Sequence, residues 1–142
     1  MENNDRFKFR VWNKTTKKYI YEIKDYSIML SLDGDIHAIA RPYTHKKDIF
    51  NYNWDGSLIL EQCTGLKDKN GKLIYEGDIV KYDIYPVKKF NPIFRVNRTE
   101  LLMKFDLVSV DGKMQSVYLE PGFNDKLEVL GNIYENPELL EG

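Results

Sequence analysis

The chain has 142 residues, 42% of them hydrophobic and 13% aromatic, with 21 Lys+Arg against 22 Asp+Glu and a formal net charge of -1 at pH 7. This is the composition of an ordinary folded protein, which excludes disordered, collagen-like and fibrous classes, and a charge so close to zero argues against tight non-specific binding to DNA. No apolar run exceeds three residues, against the roughly 20 that a membrane-spanning helix needs.

The start, Met1-Glu2-Asn3-Asn4-Asp5, is polar and acidic and lacks the apolar core of a secretory signal. The single cysteine has no internal disulfide partner, and both features point to the cytoplasm. Phe7, Phe9 and Val11 alternate with Lys8 and Arg10, the period of a half-buried strand with its basic residues outward. After the polar residues 13–18, Tyr19-Ile20-Tyr21 returns as a second strand, which predicts an opening hairpin. Residues 27–32 and 35–39 flank Asp33-Gly34, a dipeptide suited to a tight hairpin turn, and predict a second one. Residues 41–55 carry Pro42 and no clear period, so they read as a surface loop with Tyr43, Phe50, Tyr52 and Trp54 folded onto the body.

From Ser57 the pattern tightens. An apolar strand over residues 58–63 precedes Gly65, Asp68-Lys69-Asn70-Gly71 turns, and Leu73-Ile74-Tyr75 is a short strand. Glu76-Gly77-Asp78 then reverses the chain into a strand over 79–84, and Gly77 is expected at positive φ in the corner of a small barrel. Pro86 and Pro92 bracket a loop, since proline lacks the donor that a central strand needs. Leu101, Met103, Phe105 and Leu107 line one face of a long strand, Asp111-Gly112 turns it, and residues 114–119 run back to Pro121-Gly122. Residues 127–134 form a last strand, and Asn136-Pro137-Glu138 has the order of cap, proline and acid that starts a short helix. The fold class read from these elements is mainly β, with at most short helices. It divides into an N-terminal β region over 1–56 and a second region over 57–142, with a single compact unit as the alternative.

Two stretches carry a resemblance: Thr64-Gly65-Leu66-Lys67-Asp68-Lys69-Asn70-Gly71-Lys72-Leu73-Ile74-Tyr75-Glu76-Gly77-Asp78-Ile79-Val80, and the ending Val129-Leu130-Gly131-Asn132-Ile133-Tyr134-Glu135-Asn136-Pro137-Glu138-Leu139-Leu140. With Phe7-Lys8-Phe9-Arg10-Val11-Trp12, they closely resemble the YopX family of phage and prophage proteins from Gram-positive bacteria. The motifs cover about a quarter of the chain in the right order. The resemblance implies a small β protein whose later part is an SH3-like barrel, and it implies no activity. Cys63 stands where the resemblance leads us to expect an aromatic, and residues 91–114 match nothing in the family pattern, as a local insertion would.

Candidate chemistry is sparse. Cys63, His37 and His45 show no paired ligand spacing, so no metal and no cofactor is expected. Cys63 would need an adjacent histidine to become a nucleophile, and its place on an apolar strand reads as a small buried hydrophobe. Asp68 opens what looks like a calcium loop, but the twelfth position, where a glutamate is required, is Ile79. Asp33 and Asp35, like Glu76 and Asp78, flank glycines as turn formers rather than as an acid–base pair.

Charge is segregated. Residues 1–98 hold 18 basic and 13 acidic residues (+5), and residues 99–142 hold 3 and 9 (-6). Within residues 84–98, Lys88, Lys89, Arg95 and Arg98 interleave with Tyr85, Phe90 and Phe94 and no acid intervenes. Such a basic-aromatic loop suits phosphates and stacked bases, or a partner protein. The expectation is a cytoplasmic, non-enzymatic phage protein that binds a host or phage protein or associates with itself, its basic half against an acidic tail. Weak nucleic-acid binding through the seven loop residues is the alternative.

Overall fold

The computed structural model describes residue 5, residues 8–21, 56–83, 92–99 and 104–141, and the backbone alone of residues 26–30 and 36–40. Its strands in chain order are β1 (Phe9–Asn13), β2 (Lys18–Ile20), β3 (Tyr26–Leu30), β4 (Ile36–Ala40), β5 (Leu58–Lys67), β6 (Leu73–Tyr75), β7 (Asp78–Tyr82), β8 (Ile93–Thr99), β9 (Lys104–Ser109), β10 (Val117–Tyr118) and β11 (Leu127–Asn132). Two 3₁₀ segments lie among the described residues of the C-terminal part, Asn124–Lys126 and Pro137–Leu140, the second with the proline at its start that the sequence predicts. The protein is mainly β. It forms two compact units, residues 9–61 on one hand and residues 1–8 with 62–142 on the other, and the division falls inside β5.

In the unit of residues 9–61, β1 and β2 form the expected antiparallel hairpin, with Val11 opposite Ile20 and Trp12 opposite Tyr19. The Asn13 side-chain oxygen accepts the N–H groups of Thr15 and Thr16 at 2.9 and 3.1 Å, the local competition that stops a strand and begins a turn. The outward placement of Arg10 is corrected. Arg10, Val11 and Trp12 are all buried, so both faces of β1, an inner strand of its sheet, are covered. The Arg10 guanidinium is matched by Glu61 on β5, Nε donating to Oε2 at 2.6 Å. Strands β3 and β4 pair antiparallel from Tyr26 with Ala40 to Leu30 with Ile36, the second hairpin read from the sequence; its Asp33-Gly34 turn and residues 41–55 lie outside the described residues.

The other unit holds an antiparallel five-stranded sheet in the order β10-β9-β8-β7-β11, and the later part of β5 pairs with β6. Period two places Val80, Tyr82, Phe94, Val96, Phe105, Leu107 and Leu127 in one core, with Ile74 of β6 among them. Residues 93–99 are therefore not loop: Pro92 ends just before β8, which then pairs with β7 on one side and β9 on the other. Strand β5 likewise continues past Cys63 and through Gly65, whose φ of 82° accommodates an irregularity between the pairs Cys63/Tyr75 and Lys67/Leu73.

Two polar devices lock the ends of this unit. The Asp68 carboxylate accepts Asn70 N–H at 2.8 Å and Lys72 N–H at 2.9 Å through one oxygen, and Val129 N–H of β11 at 3.0 Å through the other. Asn132 receives the N–H groups of Tyr134 and Glu135 on its side-chain oxygen, while the side-chain oxygen of Asn136 accepts Asn132 N–H at 3.3 Å. Gly77 adopts φ 83°, as the corner requires, with its N–H on the Val96 carbonyl and its carbonyl receiving Ile133 N–H.

Candidate functional site

Three residues of the basic-aromatic stretch are described, and β8 separates them. Phe94 is 1% exposed, its ring edge-on to Tyr82 at 6.1 Å, and is unavailable to stack on a base. The correction has a simple cause: alternation along a central strand turns Phe94 into the core and Arg95 to the opposite face. Arg98 lies on the Phe94 face at the strand's end, with Nε 3.6 Å from Glu76 Oε2, an oxygen that also accepts Gln62 N–H at 3.3 Å. Arg95 and Arg98 thus do not converge. Tyr85, Lys88, Lys89 and Phe90 lie outside the described residues.

Cys63 is fully buried, its sulfur accepting Gly65 N–H at 3.4 Å. Burial pushes the thiol's pKa up, the wrong direction for a nucleophile. The Asp78 carboxylate is buried and accepts Tyr75 N–H at 2.8 Å, which makes it the clasp of its turn. Among the described residues no group of three or more His, Cys, Asp or Glu side chains is placed to hold a metal ion, and no helix is long and apolar enough to cross a membrane.

A groove that the sequence reading did not identify lies in the unit built around the five-stranded sheet. It has a volume of about 380 Å³ and lies between Thr64, Gly65 and Leu66 of β5, Lys104 and Phe105 of β9, and the stretch from Tyr118 to Pro121. That volume is within the range of binding clefts. Leu66, Phe105 and Leu119 form its apolar floor and belong to the core or pack against it. Its rim is polar. Tyr118 is 48% exposed, and the Lys104 ammonium lies 5.4 Å from the centre of the Tyr118 ring, within cation–π range. The register explains the geometry: Tyr118 faces Asp106, so Tyr118, Asp106 and Lys104 share the outer face, while Val117 and Phe105 point to the core. The signal in the sequence was the alternation Val117-Tyr118-Leu119, in which an aromatic occupies the outward position.

Comparison with known proteins agrees with this fold. The sequence matches the family model described as YopX protein over residues 8–141. It is 27% identical over 144 residues to the SPbeta prophage-derived uncharacterized protein YopX of Bacillus subtilis (strain 168), across 94% of this chain and 96% of that one. The crystal structure of protein yopX from Bacillus subtilis shares the fold, with a TM-score of 0.61 and 19% identity over 94% of this chain and 98% of that one. The crystal structure of protein EF1440 from Enterococcus faecalis is 25% identical over 94% and 96% of the two chains, with a TM-score of 0.49.

Proposed function

The chain belongs to the YopX family, and from that membership we propose that it is a phage-encoded, non-enzymatic, protein-binding module that works in the bacterial cytoplasm. The observation that carries this reading is the groove of about 380 Å³, whose apolar floor and exposed Tyr118-Lys104 rim combine the features of a recognition site. Exposed tyrosines give large contact area at low entropic cost, and a lysine beside one adds charge selectivity. The buried thiol with its raised pKa and the carboxylates committed to backbone N–H groups favour recognition over catalysis. The burial of Phe94 and the ion pair of Arg98 lower the weight of nucleic-acid binding.

The test uses tagged wild type beside Lys104→Ala and Tyr118→Ser, two surface changes expected to leave the thermal midpoint within about 2 °C of wild type. A protein retained from a Gram-positive host lysate by wild type and lost with both variants supports the reading. Equal retention by all three removes the groove from consideration. Light scattering on the same samples reads self-association through this surface. Anisotropy of labelled single-stranded oligonucleotides at low and moderate salt reads the nucleic-acid alternative, for which binding falling steeply with salt is the expected sign.

A further inference from the structure

The two edges of the five-stranded sheet are treated differently. At β11 the outer edge is sealed: Leu127 carbonyl accepts Lys69 N–H at 2.9 Å, and Val129 N–H donates to Asp68 Oδ2 at 3.0 Å. At β10 no such cover is found among the described residues. Leu119 N–H donates to Phe105 carbonyl at 2.9 Å, so Leu119 and Phe105 form a hydrogen-bonded pair. Antiparallel pairs alternate between bonded and non-bonded, which makes Tyr118 and Asp106 the non-bonded pair and aims Tyr118 N–H and C=O away from β9. The apolar groove is lined by this same stretch, from Tyr118 to Pro121. Pro121, which limits β10, takes no donor from that outer row, because its own nitrogen falls on the inward alternation.

Resting on the protein-binding reading above, we propose that the outer edge of β10 takes an extended segment of a partner protein as an added antiparallel strand, with the residue order basic–apolar–acidic. Charge on the edge sets that order. The Lys104 ammonium leans over the Tyr118 ring and, among the described residues, is in no ion pair, so the partner residue facing Tyr118 is acidic. Glu120, exposed two residues on, faces the partner's basic residue. The residue between them points into the groove over Leu66, Phe105 and Leu119. Strand β9 supports the pattern from the other side of β10. It reads Lys104-Phe105-Asp106, with Asp106 opposite Tyr118, and the register carried on places Lys104 opposite Glu120. Backbone pairing supplies affinity in this mode, and alternate side chains supply choice of partner.

The probe is a synthetic peptide, Lys-Phe-Asp-Leu-Val-Ser, copying residues 104–109, read by amide exchange and two-dimensional NMR on the full chain. In the free protein the Tyr118 amide exchanges with little protection while Val129 is protected. Saturating peptide protects Tyr118 at least tenfold and shifts the resonances of residues 116–120 and 104. A charge-swapped peptide, Asp-Phe-Lys-Leu-Val-Ser, binds about tenfold more weakly, as does Tyr118→Pro relative to Tyr118→Ala, since both variants lose the ring and only proline loses the outward donor. A Tyr118 amide already protected in the free chain overturns the proposal, and so do equal affinities for Tyr118→Pro and Tyr118→Ala. If the peptide leaves residues 116–120 unmoved while Lys104→Ala still abolishes partner capture, strand addition is wrong and the protein-binding reading stands.

Discussion

Gly131→Ala is the most informative single change to the fold. A Cβ built on Gly131 would lie 2.3 Å from Asn136 Oδ1, 2.6 Å from its Cγ and 3.0 Å from its Cβ, distances no packed side chain tolerates. The terminal amide of Asn136 can rotate away, but doing so gives up the acceptor of Asn132 N–H, and the Cβ contact still requires the turn to move. A lost hydrogen bond costs about 1 kcal/mol and a modest overpacking about as much again, so the variant should be destabilised by about 2 kcal/mol. For a chain of this length that corresponds to a thermal midpoint lower by roughly 4–8 °C. Because the harm passes through one neighbour, the double variant Gly131→Ala/Asn136→Ala should lie well above the sum of the single losses, by about 1 kcal/mol. Urea unfolding of the four proteins measures both numbers. A Gly131→Ala midpoint equal to wild type, or strict additivity in the cycle, would refute the steric argument.

Other expectations follow from the buried polar groups. Glu61→Ala takes the Glu61 carboxylate from the buried Arg10 guanidinium and removes the acceptor of Tyr19 O–H, and should cost about 3 kcal/mol, whereas Arg10→Met/Glu61→Leu should recover most of it in the same urea assay. Asp68→Ala deprives three backbone N–H groups of their acceptor and should cost about 3 kcal/mol, with amide exchange of Val129 accelerated more than that of Val80. The Cys63 thiol should react with a disulfide reagent only after unfolding, and a stoichiometric native-state reaction would contradict its burial. Ser109 O–H, then Lys113 N–H, hold the Asp111 carboxyl below its ordinary value, so its folded pKa is lower than its unfolded one. Its contribution is complete above the unfolded value near 3.8 and disappears as pH falls through the folded value, so Asp111→Asn should flatten the acid limb of stability against pH.

Local chemistry made much of the fold legible. The Asn13 turn, the positive φ of Gly77 and the Asn136-Pro137 start are decided by residues within a few positions of one another, and each stands where the sequence places it. The errors share a different origin. Arg10 reads as solvated because its compensating charge is Glu61, far along the chain, and the alternation rule assumes one wet face. Residues 93–98 read as loop because Pro92 and two arginines resemble surface punctuation, although a proline just before a strand interrupts no ladder bond. The groove was harder still, since Leu66, Lys104 and Tyr118 meet only through the register of three strands. Asp68 was correctly a turn former, yet nothing local announces that its second oxygen reaches β11.

That reach has a consequence for synthesis on the ribosome. A growing chain presents β7, β8, β9 and β10 before β11 exists, and during that interval β7 has one bare edge. Lys81 and Asp83, whose backbone groups face β11, then present an unfilled row of donors and acceptors, the kind of surface on which nascent chains pair wrongly. Asp68, Asn70 and Lys72 can form their turn early, but the remaining carboxylate oxygen waits for Val129. Arrival of β11 closes the bare row and engages that oxygen together, so the last strand of the sheet to be made converts a provisional hairpin stack into a committed fold.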